Sequence, residues 1–237
     1  MIRTLAFLAL LGPVFLHHST GRNIIAEGEL RGYVQHLWDH DYNYIGLTDP
    51  SGQLLGRSWS IPGDNTYADG LADLMTGRSS ARDSLLEHGT VVLKSCYPTC
   101  DIETDGELEA LKGYYGEVIG SFDGLPNRLI LCTPPPRHRL ATTAAQAARC
   151  DALAAWMVGC ACPPNVAVFD LHALLRDDSG YLAYEWERSH SDSDSHPNAA
   201  ANRMVAPLLA DAINATPTGI EDVRVKSTWA SIKETYR

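Results

Sequence analysis

Val14-Phe15-Leu16-His17-His18-Ser19-Thr20-Gly21 is the stretch that decides how this chain folds. Its apolar run ends at Leu16 in a short polar turn, and an amphipathic stretch follows from Asn23. That order reads as a strand, a tight turn and a helix. A serine in such a turn sits at the carboxyl edge of a sheet, beside a helix N-terminus whose backbone N–H groups favour developing negative charge. A nucleophilic serine needs that placement. The same residues also fit a plainer role, with Ser19 or Thr20 capping the helix. The rest of the chain has to decide between the two.

After the turn, Ile24, Ile25, Leu30, Val34, Leu37 and Trp38 recur at helical spacing. Residues 42–47 alternate like a strand, Asp49-Pro50-Ser51-Gly52 signals a turn, and residues 53–61 return as an extended arm. Further on, residues 68–75, 107–122, 141–157 and 199–213 read as helices, while 90–93, 128–132 and 166–171 read as short buried strands. The strand at 128–132 stops at Pro134-Pro135-Pro136, which neither a strand nor a helix continues through. Apolar strands alternating with helices predict an α/β fold of three layers, α/β/α, around a mostly parallel, flavodoxin-like sheet. One domain over residues 13–214 is expected, preceded by an apolar segment (1–12) and followed by a tail (215–237) with a short helix over 227–236.

Composition narrows the function. The chain has 237 residues, 45% of them hydrophobic, enough for one full core. Its 19 Lys and Arg against 29 Asp and Glu give a formal charge of -10, which disfavours nucleic acid and anionic membranes as partners. No apolar run has the length of a membrane span. Met1-Ile2-Arg3-Thr4 followed by residues 5–11 resembles a short export signal, yet the first strand begins almost at once. A clipped signal and an N-terminal extension packed on the domain both fit, so an exported and a cytoplasmic location stay open. Of the six cysteines, Cys96 and Cys132 end apolar runs and read as buried thiols. Cys150 is close enough in sequence to pair with Cys160 or Cys162 in an oxidising compartment, although spacing does not fix connectivity.

In an open α/β sheet, ligands bind at the carboxyl ends of the strands. The residues that follow the predicted strands are His17-His18-Ser19, Gly63-Asp64-Asn65, Ser95-Cys96-Tyr97 and Thr133, and Asp192-Ser193-Asp194-Ser195-His196-Pro197-Asn198 precedes the last helix. A serine, a glycine loop and an Asp/His segment thus fall on one edge, as a Ser–His–Asp hydrolase requires. In this order and spacing, residues 13–213 resemble the SGNH (GDSL-like) hydrolase superfamily. The resemblance implies Ser19 as nucleophile, His196 as general base, and the N–H groups of Ser19 and Gly63 in an oxyanion hole. It implies a serine esterase without a cofactor, acting on a carboxylic ester such as an acetylated carbohydrate. The chain departs from the pattern in three places. His17-His18-Ser19 stands for Gly-Asp-Ser, and Ser95-Cys96-Tyr97-Pro98 lacks the oxyanion-hole asparagine, leaving Ser95 or a backbone N–H to replace it. Ser193 occupies the usual aspartate position, so Asp194 is the expected orienting carboxylate and Asp192 the alternative.

Two rival readings use the same residues. His17, His18, Asp194 and His196 are suitable zinc ligands, though adjacent histidines on a strand point to opposite faces. A catalytically inactive protein on the same fold would bind carbohydrate through Tyr33, Trp38, Tyr42, Tyr44 and Trp59, residues that equally fit core packing.

Overall fold

A computed structural model describes residues 10–41, 46–56 and 67–215 of the chain. Among these, seven strands form one sheet: β1 (Val14–His17), β2 (Trp38–Asp41), β3 (Gly46–Thr48), β4 (Leu54–Gly56), β5 (Thr90–Lys94), β6 (Arg128–Cys132) and β7 (Val166–Phe169). The strand order is β4-β3-β2-β1-β5-β6-β7. The five strands from β2 to β7 pair in parallel, whereas β3 and β4 add an antiparallel edge. Counted along the chain, the parallel strands have the 2-1-3-4-5 order of doubly wound flavodoxin-like sheets. The order in which strands are added reverses between β1 and β5, and that fold binds ligands at the carboxyl ends of the two strands flanking the reversal.

Both faces of the sheet are covered. One layer holds α3 (Ala68–Thr76), α4 (Ser80–Leu85), α5 (Asp105–Gly120) and α6 (Ala144–Gly159), packed on Val14, Leu16, Val91, Leu93, Leu129 and Leu131. The other holds α1 (Ser19–Ala26), α2 (Leu30–Tyr33), α7 (Leu171–Leu175) and α8 (Ala199–Asn214), packed on Phe15, Val92, Ile130 and Phe169. Alternate residues of β1, β5, β6 and β7 therefore enter opposite cores, so these four strands read as largely apolar runs rather than alternating ones. The long helices start where local chemistry dictates. Thr104 with Glu107, and Thr143 with Gln146, form capping boxes at α5 and α6, and Asn198 caps α8 through the Ala201 N–H.

The segment after α1 departs from the sequence expectation. In place of one helix reaching Trp38, α1 stops at Ala26, α2 is a single turn, and Trp38 opens β2. Gly28 marks the break: a Cβ there would lie 2.4 Å from the Ile24 carbonyl oxygen and 2.5 Å from that of Asn202. Glu29 and His36 then adopt left-handed backbone, with φ of 59° and 57°. The strand expected at 42–47 is correspondingly two strands, β2 before it and β3 from Gly46, with residues 42–45 outside the described residues. β4 realises part of the extended arm expected at 53–61. The apolar start (1–9), the Gly63 loop and the helix expected at 227–236 also lie outside the described residues.

The cysteines correct a second expectation. Cys150 pairs with Cys100, 50 residues away, in a disulfide with Cα atoms 5.0 Å apart. Cys160 and Cys162 instead face each other, their sulfurs 2.8 Å apart. Cys96 and Cys132 are buried thiols, as their positions predict.

Candidate active site

Ser19 is the first residue of α1, immediately beyond the carboxyl end of β1. As first-turn residues, Ser19 and Thr20 have backbone N–H groups with no helical acceptor. The turn is tight because α1 begins almost against β1. A Cβ on Gly21 would stand 2.3 Å from the Cβ of His17, so only glycine fits beneath the serine.

The segment before α8 reaches the same edge. His196 Nε2 lies 2.8 Å from Ser19 Oγ, and His196 Nδ1 lies 2.6 Å from Asp194 Oδ1. With Nδ1–H donating to the carboxylate, Nε2 is left as the acceptor for the serine hydroxyl. The same carboxylate oxygen accepts the backbone N–H of His196 at 3.0 Å, folding the loop into an Asx turn. Asp192 stands one step back, with its Oδ1 accepting the Asp194 N–H at 2.9 Å. Burial alone would raise the Asp194 carboxyl. The hydrogen bonds from His196 and the charges of His196 and Arg188 outweigh it and hold Asp194 below the ordinary carboxylate range. Ser195, buried between them, accepts the His138 N–H at 3.1 Å and ties the loop to the segment after β6. Asn198 adds contacts from its amide to the carbonyls of Glu185 and Glu187, at 2.8 and 3.2 Å.

These residues open into a cavity of about 550 Å³ whose wall includes His18, Arg22, Asn23, Tyr97 and Arg188 beside Ser19, Asp194 and His196. Tyr97 meets the His196 ring edge-on, with centroids 5.2 Å apart at 86°. Burial and the neighbouring Cys96 raise its phenol pKa, so Tyr97 stays neutral. Sequence reasoning noted Tyr97 only as part of a loop. It missed Arg22, Asn23 and Arg188, although Arg22 and Asn23 lie three and four residues beyond Ser19 and so share its helix face.

Not every expected residue joins this group. Ser95 is buried, and its Oγ lies 2.5 Å from the Tyr115 hydroxyl on α5, so its side chain serves the core. Cys96 lines the cavity in the loop where the SGNH pattern has an asparagine, its sulfur 3.7 Å from His18 Nδ1. Gly63 lies outside the described residues. The four candidate zinc ligands do not converge. His17 is buried with Nδ1 on the His18 carbonyl and Nε2 on Asp39, whereas both nitrogens of His196 are engaged with Ser19 and Asp194. Among the aromatic residues considered for carbohydrate, Trp38 packs against the core and edge-on to His88, and Tyr33 is half exposed. Tyr42, Tyr44 and Trp59 lie outside the described residues. No helix among the described residues is long and apolar enough to cross a membrane.

No protein-family model and no curated protein matches the chain. A solved structure from Streptococcus pneumonia, provisionally described as a platelet activating factor, superposes with a TM-score of 0.51. The match has 14% sequence identity and covers 88% of this chain and 85% of that one. At that identity the likeness concerns the fold alone. Together with the strand order and the covered parallel sheet, it shows that the chain has the three-layer α/β/α fold of the SGNH type.

Proposed function

We propose that the chain is a serine esterase that hydrolyses a carboxylic ester through an acyl-enzyme on Ser19. The observation that carries this reading is the linear arrangement Ser19 Oγ, His196 and Asp194, joined at 2.8 and 2.6 Å and open to a cavity. As Ser19 Oγ attacks the ester carbonyl carbon, His196 Nε2 takes the hydroxyl proton. Asp194 holds the imidazole in the tautomer that makes Nε2 basic, and stabilises the imidazolium once formed. Collapse of the tetrahedral intermediate breaks the ester C–O bond, and the imidazolium gives its proton to the departing alkoxide. Water, with His196 again as base, then releases the acid and restores Ser19.

The developing oxyanion is held by the Ser19 N–H and, from the sequence reading, by the Gly63 N–H. The asparagine amide of the related enzymes has no counterpart in Ser95, whose hydroxyl is taken by Tyr115. One missing donor costs on the order of 3 kcal/mol of transition-state stabilisation, which favours reactive or small acyl groups such as acetyl on a carbohydrate.

A fluorophosphonate probe tests the assignment by forming a P–O bond to an activated serine with loss of fluoride. Intact mass is expected to show one adduct, mapped to Ser19 and absent from Ser19→Ala and His196→Ala. Labelling that persists in both variants, or no labelling of the parent, overturns it.

A further inference from the structure

We infer that the cavity holding Ser19 accepts an ester bearing a negative charge near its scissile carbonyl, with Arg188 and Arg22 reading that charge. This rests on the esterase reading above and names its substrate class.

The chain as a whole carries a formal charge of -10 and repels anions at long range. Among the described residues, the cavity wall has the opposite balance. Arg22 and Arg188 both line it, and Asp194, the one carboxylate among the described lining residues, is engaged by His196. Arg22 and Asn23 lie on the Ser19 face of α1 by helical spacing, which sets them beside the position of the reacting carbonyl. Arg188 is held from behind. Its Nη2 donates to both oxygens of Glu27 at 2.7 and 2.6 Å, and the Asn202 amide donates to Glu27 Oε2 at 2.6 Å. Burial works to raise the Glu27 carboxyl, but these hydrogen bonds overcome it and keep the anchor ionised.

The anchor uses a single nitrogen of Arg188. Among the described residues, its Nε and Nη1 donate to no protein acceptor, and its side chain is 30% exposed. A guanidinium fixed at one nitrogen, on a residue that lines a cavity, keeps its remaining donors for a carboxylate or phosphate. The Asn23 amide, likewise without a side-chain hydrogen bond among the described residues, supplies a neutral donor on the same wall.

The test compares matched esters, mono-4-nitrophenyl glutarate against 4-nitrophenyl pentanoate for charge on the acyl side. For charge on the leaving group it compares 4-acetoxybenzoate with its methyl ester. In Arg188→Gln, and independently in Arg22→Gln, kcat/KM for the anionic member of at least one pair is expected to drop about 10- to 100-fold. The neutral member should drop by a clearly smaller factor, and added salt should erode the parent's preference. Equal losses for anionic and neutral esters in both pairs overturn the anion site and leave the esterase reading intact. If the parent turns over none of the four esters, the esterase reading fails, and calorimetry with glutarate decides the site. Binding that weakens in both arginine variants supports it, and no binding to the parent overturns it.

Discussion

Two histidine–aspartate pairs in this molecule have nearly the same geometry and different surroundings. His196 meets Asp194 at 2.6 Å, and His172 meets Asp151 at 2.7 Å. The second nitrogen separates them. In His196 it faces the Ser19 hydroxyl and an open cavity, whereas in His172 it lies 3.1 Å from the Pro134 carbonyl, in a side chain buried against Cys150. The His172 pair knits α6 and α7 to the segment after β6. A histidine–carboxylate contact by itself therefore says little about chemistry. What distinguishes the first pair is a serine hydroxyl on the other nitrogen and an open cavity beside it.

The comparison can be broken by removing one carboxylate at a time. Asp194→Asn should lower kcat by about 10,000-fold, because the amide no longer enforces the productive tautomer. Asp151→Asn should leave kcat within about threefold and cost about 1–2 kcal/mol of folding stability, since its partner touches no substrate. Asp192→Asn tests the alternative acid. Among the described residues its carboxylate meets only the Asp194 N–H, so the expected effect on kcat is under about tenfold. Steady-state kinetics with urea melts on the three variants separate these outcomes, and equal kinetic losses at Asp194 and Asp151 would erase the distinction.

A buried histidine outside both pairs, His40, sharpens the contrast by stability. Burial, aided by the charge of His17, lowers His40 from its ordinary value near 6.5 to about 4. Between those values the unfolded chain binds a proton that the native chain refuses, so stability falls as pH falls through that window. The loss is about 1.4 kcal/mol per pH unit and about 3 kcal/mol in all from this group. Urea midpoints at pH 7 and pH 4.5 measure it, and His40→Asn should flatten the decline. An unchanged slope in that variant would place the acid sensitivity elsewhere.

The backbone under the serine gives a smaller effect. Gly21→Ala forces a Cβ against His17 and should cost about 1–3 kcal/mol, with loss of turnover as Ser19 shifts. Gly32→Ala, where nothing lies within 4 Å of the added carbon, should be neutral or stabilising by a few tenths of a kcal/mol. Thermal melts of the pair check the difference. A larger loss at Gly32 would contradict the close packing inferred at α1.

Much of this architecture can be read from the sequence, because strands covered on both faces are mostly apolar. β1, β5, β6 and β7 announce themselves that way. β2 does not, since Trp38-Asp39-His40-Asp41 buries polar side chains in the sheet while the apolar spacing before it continues in helical phase. Its Asp39 is matched by His17 and Arg31, partners 22 and 8 residues away that no local pattern reveals. The candidate site divides the same way. Ser19, Asp194 and His196 stand at turn and pre-helix positions with recognisable spacing, whereas Arg188 is brought to the cavity by its contact with Glu27, 161 residues distant. The Cys100–Cys150 pairing was equally hidden, because both cysteines lie far apart in sequence and meet only where α6 packs beside the segment after β5.

The central claim is that Ser19 and His196 act as nucleophile and base, and hydrolysis of 4-nitrophenyl acetate by the purified chain tests it most directly. The account predicts turnover by the parent and a loss of at least about 1,000-fold in both Ser19→Ala and His196→Ala. Turnover that survives either substitution, or a folded parent with none, would contradict it.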